Sequence, residues 1–186
     1  MNKITVLIIA LSIVFLTGCI SVEKKIYRIQ LTGPNSGHAS ITFINIVSQK
    51  DNDRDVSMKD FAELVTDYVE GPKVEDDYPN ATNFKKRLFE ENNQLCAEFT
   101  FDFDSLSIPK LFRLDDKSPL MLFVKDGTNN EKFASSNGVW GGDNMPVVFW
   151  KSTDKNLEWE INVQTDFEKT VPLVEDYRSW KNKNKK

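Results

Sequence analysis

Residues 83–104 read NFKKRLFEENNQLCAEFTFDFD, and this stretch predicts a β-hairpin. Asn92-Asn93 suits a two-residue turn of the primed type, because asparagine tolerates the positive φ that both central residues of such a turn require. A turn centred there places Arg87 opposite Glu98, Leu88 opposite Ala97 and Phe84 opposite Phe101. Apolar residues then face apolar residues and a cation faces an anion, as cross-strand pairing favours, whereas a slip of one residue would destroy both matches. Lys86 falls on the apolar face opposite Phe99, so we expect its stem to pack there while its ammonium reaches water.

Apolar runs predict further strands on both sides of this hairpin. Residues 24–32 and 38–47 flank the turn-forming segment 33–37 and predict a second hairpin. Residues 120–124 are apolar on both alternating sets, which predicts a strand covered on both faces. The remaining strand predictions are 131–135, 145–151 and 156–164.

One amphipathic helix is predicted among the strands, over about 57–70, and its apolar stripe is expected to pack on the sheet. Ser57 and Asp60 suit a capping box at its start, and Gly71-Pro72 ends it. A further helical turn is predicted around 174–180. The elements together predict a mainly β protein, an antiparallel sandwich or meander of about seven to nine strands with one inserted helix. A partly closed barrel is the alternative.

The composition is that of an ordinary folded domain and excludes several functional classes. The 186 residues include 24 Lys+Arg and 28 Asp+Glu, a net charge of −4, and no basic stripe marks the body, so no nucleic-acid partner is predicted. His38 is the single histidine, and Cys19 and Cys96 are the only cysteines. A histidine- or cysteine-rich metal site is therefore excluded, and neither a metal nor a cofactor is predicted. No residue set forms a recognisable catalytic group, so no catalytic residue is predicted.

The first nineteen residues, MNKITVLIIALSIVFLTGC, decide the predicted compartment. Lys3 precedes an apolar run of about thirteen residues, which fits the apolar region of a signal peptide and is shorter than the roughly twenty residues that span a bilayer. The run ends in Leu16-Thr17-Gly18-Cys19, which resembles the lipobox of bacterial lipoproteins. This resemblance implies cleavage before Cys19, a diacylglycerol on its thiol and acylation of the new amino terminus. An uncleaved membrane helix is the alternative.

The resemblance also sets the predicted domain limits and location. It makes 1–18 a signal peptide and 19–25 a lipidated tether, followed by a single β-rich domain over 26–180 and a basic, frayed tail over 181–186. The protein is expected at the bacterial cell membrane or outer membrane, anchored by its acyl chains, with the mature domain outside the cytoplasm. Cys96 would be the only free thiol, and we expect it to be buried and inert; a reactive thiol or an intermolecular bridge is the alternative.

Acidic residues on one strand are the first weak candidates for a binding site. Asp102 and Asp104 share a strand face with Glu98. Carboxylates spaced in this way could hold a cation with help from loop carbonyls, or could act as the acid pair of a glycoside hydrolase. The favoured interpretation is a solvated strand face balanced by Lys85 and Arg87, so no metal site is predicted.

Trp140 is the remaining weak candidate. It lies in the glycine-rich loop 138–143, where a tryptophan could stack on a sugar ring or anchor a protein partner. The alternative is a side chain folded back on the core. His38 has Ser36 and Ser40 nearby but no evident acid or oxyanion hole, so no catalytic role is predicted for it.

Three functional hypotheses follow. The leading one is a non-enzymatic, lipid-anchored module that binds another envelope protein or helps an assembly. The alternative is a carbohydrate-binding surface module that uses Trp140, and the third is a hydrolase that uses Asp102, Asp104 or Glu98. The expected partners are the membrane, through lipid at Cys19, and an envelope protein or a glycan.

Overall fold

The structure is a computed structural model that describes residues 20–124 and 130–184. The described residues form thirteen strands, and every strand pairing is antiparallel. The strands are β1 (Ile20–Ser21), β2 (Lys24–Leu31), β3 (Gly37–Ile44), β4 (Val47–Gln49), β5 (Thr82–Glu91), β6 (Gln94–Phe103), β7 (Leu111–Phe112), β8 (Leu120–Phe123), β9 (Glu131–Ser136), β10 (Val139–Trp140), β11 (Val147–Trp150), β12 (Asn156–Val163) and β13 (Thr170–Pro172). The helices are α1 (Ser57–Glu63), which continues as a π-helical segment (Leu64–Val69), α2 (Lys73–Asp77) and α3 (Val174–Lys183), with a 3₁₀ turn at Phe167–Lys169. The mainly β prediction is confirmed, and eight of the thirteen strands have at least four residues.

The hairpin of β5 and β6 confirms the predicted turn and register. Asn92 and Asn93 have φ of 50° and 62°, as a primed turn requires. Arg87 pairs with Glu98 and Leu88 with Ala97. The predicted register holds from Lys85 to Glu91 and does not extend to Phe84. The ladder shifts between Thr82 and Lys85, where Asn83 has a φ of 56°.

Lys86 differs from its prediction. Its side chain is 10% exposed, and its ammonium donates to the Gly71 carbonyl oxygen at 2.6 Å and to the Glu75 carboxylate at 2.9 Å. The segment after the π-helical turn therefore supplies the partners that we expected water to supply.

The largest sheet has six strands in the order β5-β6-β3-β2-β12-β9. Successive side chains of a strand point to opposite faces, so each strand contributes to an inner and an outer face. The inner face is apolar and is covered by two separate units. A four-stranded sheet, β10-β11-β8-β7, packs over one part of it, as in a β-sandwich. The helices pack over another part, beside a three-stranded sheet in the order β1-β4-β13. No sheet closes on itself within 20–124 and 130–184, so the barrel alternative is not adopted.

Two clusters of buried residues form the core. The sheet cluster joins the two larger sheets and consists of Ile29, Leu31, Ala39, Ile41, Phe101, Phe103, Leu106, Ile108, Leu111, Leu120, Leu122, Val124, Val148, Trp150, Leu157, Trp159 and Ile161. The helix cluster joins the large sheet to the helices and consists of Ile46, Phe61, Leu64, Val65, Val74, Leu95, Ala97, Phe99, Leu173, Val174 and Tyr177. The half-buried Phe43 and Phe84 pack against both clusters, which places them where the two covers meet.

The predicted helix is present, but its capping box is wrong. The backbone N–H of Ser57 donates to the Asp55 carboxylate at 2.9 Å, so Asp55 provides the side-chain contact at the helix start. Asp60 is fully buried and accepts a hydrogen bond of 2.6 Å from the Ser48 hydroxyl. Its Oδ1 has no partner among the described residues. A partner on β4 therefore outweighs the local cap that Asp60 was expected to make.

Both ends of the described chain are more ordered than the expected tether and tail. Ile20 and Ser21 pair with β4, and Lys24 and Lys25 belong to β2, so the segment expected to be a tether takes part in two sheets. At the other end, 181–183 continue α3, because Tyr177 and Val174 on the same helix are buried in the helix cluster.

Candidate functional site

The outer face of the six-stranded sheet is polar, and ion pairs cross it from strand to strand. The pairs are Lys24 with Glu160 at 2.9 Å, Arg28 with Glu158 at 2.8 Å and Arg87 with Glu98 at 2.7 Å. Glu98 also accepts a hydrogen bond of 3.2 Å from the Ser40 hydroxyl. The prediction that Arg87 balances this candidate acid is confirmed.

Asp102 lies further along β6, and its two oxygens have different partners. The Asn83 amide donates to Oδ2 at 2.7 Å, and Nδ1 of His38 donates to Oδ1. These contacts, first that of Asn83 and then that of His38, hold the pKa of the Asp102 carboxyl below its usual range. Asp102 is four residues from Glu98, about 13 Å along an extended strand, so the two acids do not share a site.

Asp104 does not join the other two acids. It is exposed and lies beyond Phe103, the last residue of β6. No group of three acidic, histidine or cysteine residues in the described chain is arranged to hold a metal ion.

His38 gains an acid partner that the sequence did not reveal, since Asp102 is distant in sequence and adjacent in the register of β3 and β6. The nearby Ser40 hydroxyl donates to Glu98 instead. Within 20–124 and 130–184 no hydroxyl or thiol bonds to the imidazole, so the His38–Asp102 pair lacks the nucleophile of a three-membered relay.

Trp140 belongs to β10 and is half-buried. Its ring stacks on Phe133, with 4.3 Å between ring centroids and 18° between ring planes, and it packs against the sheet cluster. One face of the indole is thus covered by protein. Stacking of a sugar on the other face stays a prediction.

Of the two cysteines, only Cys96 lies among the described residues. Cys19 lies outside the described residues, so its lipidation stays a prediction. Cys96 is buried, and burial raises the pKa of its thiol. A thiol that stays protonated near neutral pH is a poor nucleophile, in keeping with the inert role expected for it.

The sequence prediction missed the feature that distinguishes this molecule most, which is the outer face of the four-stranded sheet. Residues 120–124 were expected to be covered on both faces, and this is wrong for the second face. Leu120 and Leu122 are buried in the sheet cluster, whereas the alternating Phe123 is 65% exposed. Phe112 and Val139, on the two edge strands, are 60% and 71% exposed. We call this surface the outer apolar face; it consists of Phe112, Met121, Phe123, Val139, Val147 and Phe149.

The register shows that the outer apolar face is continuous. Val139 pairs with Phe149, Phe149 with Met121, and Met121 with Phe112, so one apolar row crosses all four strands. Phe123 pairs with Val147 in a second, shorter row. The sequence signal for this face is that the outward residues of β8 and β11 are apolar, like their inward residues. This pattern predicts that the outer face is covered, but it does not identify what covers it.

Comparisons with known proteins found no match: no family model, no curated protein and no solved structure resembles the chain. Among the described residues, no helix has the length and apolar character needed to cross a membrane.

Proposed function

We propose that this protein is a lipid-anchored, non-catalytic binding module of the cell envelope that docks another protein through its outer apolar face. The observation that carries the proposal is the apolar row that crosses four strands on the side facing away from the core. Contiguous exposed apolar surface of this kind is uncommon on soluble monomers and marks sites of interaction.

The composition of the outer apolar face favours a protein partner. Three phenylalanines, Phe112, Phe123 and Phe149, lie on three neighbouring strands, and aromatic residues are enriched at the energetic centres of protein interfaces. The loops that join these strands carry exposed acids, among them Asp115 and Asp143, but also the exposed apolar residues Leu114 and Met145.

The lipid anchor is supported by the sequence of the leader and is compatible with where the fold begins. Ile20 already pairs with Ser48 in a sheet. A lipid on Cys19 would therefore be separated from the folded domain by no linker, and the domain would lie close to the membrane that the acyl chains enter. Two or three acyl chains are sufficient for stable membrane residence.

Mild crosslinking followed by detergent purification of the full chain from its own membranes tests the docking. We expect a stoichiometric protein partner with the wild type and its loss with Phe112→Ser/Phe123→Ser. The matched control is Phe167→Ser, which removes an exposed phenylalanine outside the outer apolar face and should retain the partner. Thermal unfolding of each variant verifies that the domain is folded.

Three further outcomes would contradict the proposal. A partner retained by the double variant would exclude the outer apolar face as the docking surface. If mass spectrometry of the purified wild type finds the leader uncleaved and no diacylglycerol on Cys19, the lipid anchor is excluded. A double variant that loses membrane association while no protein is ever captured would assign the face to the lipid bilayer instead.

A further inference from the structure

A second surface, distinct from the main part of the outer apolar face, has the character of a small-molecule site. Where the two covers meet over the inner face of the six-stranded sheet, they leave an open cleft with a volume of about 760 Å³. Pockets for small ligands have volumes of about 300–1,000 Å³. The lining combines residues of both core clusters, such as Ile41 and Phe101 from one and Phe99 and Val74 from the other.

Two tyrosines place hydroxyl groups in this apolar cleft. Tyr27 stacks on Trp159 with 4.8 Å between ring centroids, and Tyr78 packs on Phe101 at 4.7 Å. Neither hydroxyl makes a hydrogen bond to any residue in 20–124 or 130–184. Tyr177 shows the usual arrangement, because its hydroxyl donates to the Leu88 carbonyl oxygen at 3.1 Å.

The surroundings keep both cleft hydroxyls protonated. Burial, together with the neighbouring carboxylates of Asp77 and Glu131, raises the pKa of Tyr27 and of Tyr78. Each hydroxyl is therefore a hydrogen-bond donor that has no acceptor within the described protein. Neither hydroxyl is fully enclosed by protein, so both are accessible from the cleft, where the acceptor of a ligand can replace water.

Charged groups beside the hydroxyls are balanced. Lys25 lies on the inner face of β2, and its ammonium bonds to Glu131 at 2.5 Å. Lys110 lies 5.7 Å from the centre of the Tyr78 ring, and Asp77 also lines the cleft. Two cations thus accompany two carboxylates, so the lining carries no net charge that would favour a charged head group over a neutral one.

We propose that the cleft binds one neutral amphiphile, with its hydrocarbon chain along the apolar floor and an uncharged oxygen of its head group accepting hydrogen bonds from Tyr27 and Tyr78. Ile20 lines the same cleft, so the cleft opens beside the point where the described chain begins. A membrane is the nearest source of such a molecule if the proposed anchor is present. The binding itself does not require the anchor or the protein partner.

Photolabelling tests the assignment. The full chain is reconstituted in phosphatidylcholine vesicles that contain a monoacylglycerol with a diazirine in its chain, and the labelled peptides are mapped by mass spectrometry. We expect labelling of cleft residues such as Ile41 and Phe99. In Tyr27→Phe/Tyr78→Phe the labelling should fall about tenfold, since two hydrogen bonds are lost while the apolar floor is retained.

Tyr177→Phe is the matched control, because it removes a hydroxyl that is bonded within the protein. Labelling should be unchanged in this variant, and its thermal unfolding midpoint should fall, whereas Tyr27→Phe and Tyr78→Phe should not lower the midpoint. Equal loss of stability in all three variants would show that the cleft hydroxyls have protein partners and would overturn the proposal.

The site of labelling and the charge of the probe provide two further ways to overturn the proposal. Labels confined to Phe112 or Val139 would report contact of the outer apolar face with the bilayer, with no ligand in the cleft. A fatty-acid carboxylate or an alkylammonium probe with the same chain should label the cleft less than the monoacylglycerol does. Equal or stronger labelling by either one would overturn the assignment to a neutral head group.

Discussion

The outer faces of the two larger sheets have opposite chemistry, although their inner faces share one core. On the six-stranded sheet, the outward residues of β12 are polar and pair with β2, as Glu158 does with Arg28 and Glu160 with Lys24. On the four-stranded sheet, the outward residues of β8 are Met121 and Phe123, and their neighbours across the strands are apolar as well.

This difference separates the roles of the two faces. The large sheet directs most of its apolar residues inward, and ion pairs cross its outer face from strand to strand, so that face is suited to contact with water. The small sheet has a buried face and a second apolar face for which the described residues supply no cover. A sheet that is apolar on both faces normally has both faces covered. In the proposed function, the partner protein would supply this second cover.

Truncating one residue on each face of β8 should give the largest difference between two variants in the free energy of unfolding. Leu122→Ala should lower the free energy of unfolding by about 3 kcal/mol, because it opens a cavity in the sheet cluster. Phe123→Ala, at the next position, should change it by less than about 0.5 kcal/mol in the isolated protein, because its side chain is mostly exposed. Urea unfolding followed by tryptophan fluorescence measures both. A large loss in Phe123→Ala would show that the outer apolar face is already covered in the isolated chain.

Two adjacent lysines of β5 extend the contrast between an inner and an outer face. Lys86→Ala should lower the free energy of unfolding by about 1.5 kcal/mol, because it leaves the Gly71 carbonyl oxygen and the Glu75 carboxylate without their donor. Glu75 is partly exposed and water replaces part of the contact, which keeps the value moderate. Lys85→Ala, on the outer face, should have an effect of less than about 0.5 kcal/mol. Equal effects in the same urea titration would place both ammonium groups in water.

The elements that the sequence predicted well depend on local patterns. The turn at Asn92-Asn93 fixes the register of its own hairpin, and alternation in residues 156–164 assigns the faces of β12. The helix over 57–70 follows from its apolar spacing, although its second half is π-helical. These signals need no knowledge of distant residues.

The elements that the sequence did not predict depend on contacts between distant segments. The partner of Asp60 is Ser48 and the partner of His38 is Asp102, and neither pair follows from spacing. The apolar pattern of β8 predicts a cover on both faces. It does not show whether any segment of the chain supplies the cover of the outer apolar face. The cleft exists only because two covers, each formed from several segments, meet over one sheet.

Charge reversal on the polar outer face should have a smaller effect. Arg87→Glu places two carboxylates opposite each other on β5 and β6, and should lower the free energy of unfolding by about 0.5–1 kcal/mol. The exchange Arg87→Glu/Glu98→Arg should restore most of this loss at low salt, because it restores opposite charges at the same register position. If the exchange recovers nothing, the pairing of this face does not depend on charge.

The smallest expected effect concerns the pH dependence at Asp102. The pKa of its carboxyl is lower in the folded protein than the value of about 3.9 in an unfolded chain. The unfolded chain therefore takes up the proton first as the pH falls, and the stabilising contribution of Asp102 is present above the unfolded pKa and is lost as the pH falls through the folded one. Asp102→Asn should thus be less stable than the wild type near pH 7, and the two should converge at the acid end.

Titration of the Asp102 carboxyl by nuclear magnetic resonance measures the cause directly. Because the Asn83 amide is the larger cause of the lowered pKa and His38 the second, Asn83→Ala should raise the pKa more than His38→Ala does. A wild-type carboxyl that titrates at its ordinary value would show that these contacts are not maintained in solution. In that case the polar outer face would be stabilised by its ion pairs alone, and the His38–Asp102 pair would have no part in its pH dependence.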